Sequence, residues 1–171
     1  MKNGIRLSLL AGVLAVVTSA VALHATAAPT NHANRFEATF RETNASVTNR
    51  IADLGVFQLI TTGTGSVEGF GSATEVLSVT QDRSVHPCGP GSWTNAGIRR
   101  IVIDDGVLVL RELAYVCQTA EGPVASGEWT VDGASSTGVF VDASGAGEVT
   151  VTIATGTAML SGRLKLAGDG D

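Results

Sequence analysis

GEWTVDGASSTGVFVDASGAGEVTVTI, residues 127–153, reads as a strand, a turn dense in glycine, and a second strand. Trp129 and Val131 alternate with Glu128 and Thr130. Val149, Val151 and Ile153 alternate with Glu148, Thr150 and Thr152. Successive side chains of a strand point to opposite faces, so a period of two marks one buried face and one wet face. Between the strands lie Gly133, Gly138, Gly145 and Gly147 among small residues, which let the backbone turn sharply and approach a neighbour. Phe140 is the one aromatic group of the turn and is suited to plug an apolar end.

Working outward, the same alternation predicts strands over 35–43, 56–69, 72–81, 98–104, 107–118, 124–132, 147–155 and 158–166. Asp105-Gly106 is a hairpin turn signal. Gly63 and Gly65 are candidate bend or bulge points within the second strand. Val47–Leu54 fits either a helical turn or an irregular strand entry, and residues 82–97 read as a long loop. Asn44-Ala45-Ser46 matches a glycosylation sequon but reads here as a turn. Eight strands, short turns and no convincing helix after the leader predict an all-β, eight-stranded antiparallel up-and-down barrel of calycin-like form. A β-sandwich accommodates the strand pattern almost as well.

A resemblance favours the barrel. A strand ending G-x-W-x-V-x-G, then Ser136-Thr137-Gly138-Val139-Phe140, then Ala143-Ser144-Gly145 with Gly147 and a Val/Thr strand, resembles the allene oxide cyclase and dirigent barrel superfamily. Its small secreted bacterial members are the most similar. Ser136 stands where that family often has Gly. Gly63–Gly71, GTGSVEGFG, is similar to an earlier strand-turn stretch of those barrels, and the resemblance spans about residues 35–168. It implies a barrel lumen that holds a small molecule, a cyclase or isomerase chemistry in some members, and association as trimers. Strand five is apolar on both faces, with Leu108 and Leu110 on one and Val107 and Val109 on the other. That pattern leads us to expect an outer face packed against another subunit.

The 171-residue chain opens with Lys2 and Arg6, a nearly apolar run from Leu7 to Leu23, and Ala25-Thr26-Ala27. This is the pattern of a signal peptide over residues 1–27, cut before Ala28, and it predicts a secreted protein. An uncleaved membrane anchor is the alternative, because the apolar run approaches a spanning length. Residues 28–34 read as a disordered lead-in, 35–168 as the barrel domain, and 169–171 as a polar tail. Without Lys2 and Arg6, nine basic residues face 16 acidic ones, a formal charge of −7. No basic cluster offers a footprint for nucleic acid. Cys88 and Cys117 both follow the leader, and an even count in an oxidising compartment favours a disulfide over reactive thiols.

Chemical motifs are few. Only His32 and His86 follow the leader, so no His/Cys metal cluster is expected, and neither a nucleophile elbow nor a phosphate-binding glycine loop is present. No cofactor is expected. Two carboxyls stand out. Glu75 shares parity with Leu77 and Val79, and Glu112 with Leu108, Leu110 and Ala114. A carboxyl facing an apolar lumen is desolvated and its pKa rises, which is how a general acid or base is tuned. Both are catalytic candidates; a solvated rim position is the alternative. Arg111 and Tyr115 fall on the opposite parity and reach the lumen only if a bulge shifts the register. Phe36, Phe40, Leu77, Leu108, Leu110, Trp129 and Phe140 are the candidates for lining a ligand cavity, with core packing as the alternative role. The functional expectation is a secreted barrel that binds a small hydrophobic molecule in its lumen or has a structural extracellular role. The alternative is a cyclase or isomerase that steers ring closure of a reactive small molecule.

Overall fold

The computed structural model describes residues 35–168. The leader, its cut before Ala28, the lead-in 28–34 and the tail 169–171 lie outside the described residues. Strands β1 (Arg35–Ile51), β2 (Val56–Val67), β3 (Gly71–Asp82), β4 (Trp93–Ile103), β5 (Gly106–Thr119) and β6 (Gly122–Val131) follow one another. A two-residue strand β7 (Thr137–Gly138), β8 (Ser144–Thr152) and β9 (Thr157–Lys165) complete the chain. Eight of these pair antiparallel in the order β1-β2-β3-β4-β5-β6-β8-β9, and β9 pairs back onto β1. The fold is therefore a closed eight-stranded antiparallel barrel and not a sandwich. Closure gives main-chain groups along the shared wall partners on both sides.

A small barrel must fill its interior with side chains. Here the inward positions alternate between very large and absent. Trp129, Phe36, Phe40, Ile101, Leu108, Leu110 and Leu160 are fully buried. A Cβ on Gly147 or Gly162 would lie 2.5 or 2.6 Å from Cζ2 of Trp129, and one on Gly65 would lie 2.8 Å from Cδ1 of Phe40. The glycines thus supply the volume that the aromatic rings occupy. Phe36 meets Trp129 edge-on at 5.2 Å, and Trp129 Nε1 donates to the Glu148 carbonyl at 2.9 Å. At the end of the barrel carrying the β2–β3 turn, Phe140 is buried with its ring 5.1 Å from that of Phe70. Phe140 does plug an apolar end.

Two local expectations are corrected. Strand β1 runs on to Ile51, past the point where β9 stops pairing at Arg41, with register shifts between Glu42 and Asn44 and between Val47 and Asn49. Asn44–Ser46 is therefore strand paired to β2, not turn. Past Arg41, β1 has β2 on one side only, the side chains from Thr43 to Leu54 are exposed, and no apolar alternation exists there to be read. Strand β4 begins at Trp93, five residues before the expected Ile98. Its inward positions in that stretch, Trp93, Asn95 and Gly97, are mixed in polarity and size because they face the roomier part of the lumen.

A further finding concerns strand β5. Its apolar outer face at Val109 is covered by the chain itself. Val109 is 3% exposed. Ser136 Oγ accepts from Val109 N at 3.0 Å, and Thr137 and Gly138 pair with Val107 and Gly106. No subunit is needed to account for that face. Cys88 and Cys117 are joined by a disulfide, with Cα atoms 5.6 Å apart, tying the β3–β4 loop to the end of β5.

Two outcomes follow from this packing. Gly147→Ala places a methyl against Trp129 and 2.0 Å from the Ser161 carbonyl oxygen. It should lower stability by about 1–3 kcal/mol, as overpacking does. A urea midpoint equal to that of the parent would show that the ring has room to move. Replacing Cys88 and Cys117 by Ser opens a loop of sequence separation 29. The expected loss is about 3–4 kcal/mol on the chain-entropy model. A pair of variants that unfold together with the parent would contradict a structural role for the bridge.

Candidate functional site

The interior is not apolar throughout. Arg99, on β4, is 0% exposed, and three glutamates converge on it. Strand pairing explains how. Arg99 lies opposite Leu77 of β3 and Leu110 of β5, while Glu75 and Glu112 are two positions away on those same strands. They are diagonal neighbours, within reach of long side chains. Glu42 belongs to the next row. It pairs with Gly63 of β2, and Gly63 pairs with Glu75. Having no side chain, Gly63 leaves space for a carboxyl between them: a Cβ there would stand 2.7 Å from Glu75 Oε1.

The guanidinium is engaged on every nitrogen. Nε donates to Glu112 Oε1 at 2.6 Å and Nη2 to Glu112 Oε2 at 3.3 Å. Nη1 donates to Glu75 Oε2 and lies 3.5 Å from Glu42 Oε1. Fork-on-carboxylate bonding of this kind combines charge with fixed geometry. Burial alone would make Arg99 a weaker cation, but the attraction and hydrogen bonds of Glu112, then Glu75 and Glu42, hold its pKa above the ordinary arginine value. Burial pushes Glu75 up; the charge of Arg99 and its hydrogen bond offset part of this, and the carboxyl settles at about 7. Burial also raises Glu42, against the pull of Arg99.

Beside this cluster lies a cavity of about 30 Å³. Leu77, Val79, Ala114, Ala125, Val149 and Val151 form apolar walls, and Arg99, Glu112 and Asn95 supply the polar lining. The volume corresponds to about one water. Three buried polar atoms have no hydrogen-bond partner among the described residues: Glu75 Oε1, Asn95 Oδ1 and Trp93 Nε1. Asn95 and Trp93 continue the inward parity of Arg99 along β4. Beyond them Arg83 stacks at 4.8 Å on both the Trp93 and the Phe57 ring.

Glu75 and Glu112 are therefore inside the barrel, and the structure brings them together on Arg99. Leu77 lines the cavity. Phe36, Phe40, Leu108, Leu110, Trp129 and Phe140 belong to the packed core. Strand β5 keeps its register across Arg111 and Tyr115, and both point outward; Arg111 pairs with Asp132 at 2.6 Å. His86 accompanies the disulfide loop, its Nδ1 2.8 Å from the Ser92 carbonyl. Arg99, Glu42 and Asn95 escaped the sequence reading. The signal for Arg99 was its parity with Ile101 and Ile103, which makes it a cation on a buried face.

No protein-family model matches the chain, and no curated protein is significantly similar to it.

The cluster makes stability depend on pH with a definite sign. Glu75 binds its proton more tightly folded, at about 7, than at the ordinary value of 4.5. Between these values the folded chain holds the extra proton, so this group lowers stability as pH rises through the window, by about 3 kcal/mol in all. Glu75→Gln should flatten the fall of unfolding free energy between about pH 4.5 and 7 while leaving the barrel folded. An unchanged slope would assign the proton elsewhere.

Proposed function

We propose that this protein is an exported barrel that binds a small molecule in its lumen, at the cavity beside Arg99. The observation that carries the reading is the amphipathic cavity: aliphatic walls meet the Arg99–Glu112 pair and Asn95, whose Oδ1 is unpartnered among the described residues. Ligand sites have this composition, mostly apolar with a few placed polar groups. About 30 Å³ admits the head of a ligand. A larger apolar body would have to reach toward the Trp93 end, where Arg83 stacks on Trp93 and Phe57. Export rests on the leader pattern and the fit of a disulfide to an oxidising compartment.

A specific observation favours a second reading. Glu75 is a buried carboxyl with a pKa of about 7, held against a guanidinium. A group so poised can exchange a proton at neutral pH, which is what a cyclase or isomerase of the resembling superfamily would ask of it. In that reading Glu75 is the acid or base, Arg99 holds it in place through its hydrogen bond, and the barrel wall shapes the ring closure.

Native mass spectrometry of the protein from its own source tests lumenal binding. The expected result is a retained small molecule that leaves on denaturation. A clean bare mass after gentle purification would contradict it. The same spectra read the assembly state, which the resemblance implies is a trimer.

A further inference from the structure

We infer that the lumenal ligand presents a hydrogen-bond-donating head without negative charge, a small protonated amine above all, and that carboxylates are refused. The inference rests on the lumenal binding proposed above and names the class of molecule bound. Its first support is charge. One guanidinium faces Glu42, Glu75 and Glu112, so the buried cluster has more acidic than basic groups, and Arg99 is the one cation lining the cavity.

Its second support is saturation. Each nitrogen of Arg99 already serves a carboxylate, with Glu112 taking both Nε and Nη2. An entering anion finds no free fork on the cation and meets like charges behind it. In a lumen that excludes most water, that repulsion is screened far less than at a surface.

Its third support is the character of the open positions. Asn95 Oδ1 is a buried acceptor without a partner, and its residue lines the cavity together with Glu112. An amide oxygen and a carboxylate both accept, so the complementary head donates. An ammonium group donates three bonds and carries the opposite charge. An alcohol matches the acceptors without the charge. A carboxylate matches neither.

The experiment is an amide and indole NMR titration of the full exported chain at pH 7 and constant ionic strength, with ethylammonium, ethanol and acetate as probes. The chain has two tryptophans. Trp93 Nε1 is unpartnered and near the cavity, whereas Trp129 Nε1 is bonded to the Glu148 carbonyl and serves as the internal control. The expected result is a saturable shift of the Trp93 indole signal with ethylammonium in the millimolar range. Acetate should bind at least about tenfold more weakly, a difference equivalent to one factor of ten in Kd. Glu112→Gln, checked for folding by its melting curve, should narrow that gap. Acetate binding as tightly as ethylammonium would overturn the ligand class while leaving lumenal binding intact. If no probe moves the Trp93 signal, lumenal binding itself falls and the ligand class with it.

Discussion

A guanidinium at the centre of an eight-stranded barrel is the constraint to which the rest of this structure answers. Arg99 has no exposed surface. Moving such a charge out of water costs several kcal/mol even after relaxation, and only opposite charges in good geometry offset that. Glu112 meets it with a two-pronged bond, Glu75 with a buried contact, and Glu42 from three strands away. The arrangement dictates small residues nearby. Gly63 stands between the two glutamate-bearing strands β1 and β3, and Gly97 stands opposite Glu112. The cost of burying acids around one base appears in the pKa values of Glu75 and Glu42, raised first by burial and lowered in part by Arg99.

The same economy of volume shapes the apolar half. Gly147 and Gly162 are flat ground for Trp129, and Gly65 for Phe40. With Phe70 and Phe140 closing that end, the barrel is a packed core there and a partly open polar chamber beyond Arg99. The two halves of the barrel thus differ along its axis. The aromatic half holds the strands in register, and the half nearer the disulfide presents groups that are buried, polar and incompletely bonded.

Much of this was legible in the sequence, and the limits have physical causes. Alternation placed the staves of the barrel because one face of each is buried, and the parity of Glu75 with Leu77 and Val79 put it inside correctly. Glu112 followed by the same logic. Alternation failed wherever both faces share one character. The part of β1 from Thr43 on is wet on both sides, and Trp93–Gly97 mixes polar and absent side chains on its inner face. It was silent on the cover of Val109, an apolar outer residue met by Ser136 and Thr137 of the same chain, a long-range contact that periodicity does not encode. Arg99 was missed because a charged residue is read as exposed by default. Its partners are distant in sequence and become neighbours only through strand register.

Unfolding free energies of Arg99→Met and of the triple variant Arg99→Met, Glu75→Leu, Glu112→Leu, measured in urea at pH 7, test the organising role of the cluster most directly. Removing the guanidinium alone leaves buried carboxylates without their counter-charge and should cost about 3–5 kcal/mol, whereas removing Arg99 with its two most buried partners, leaving only the less buried Glu42, should restore most of that loss. A single variant as stable as the parent would contradict the account, because it would mean that the three carboxylates do not depend on Arg99.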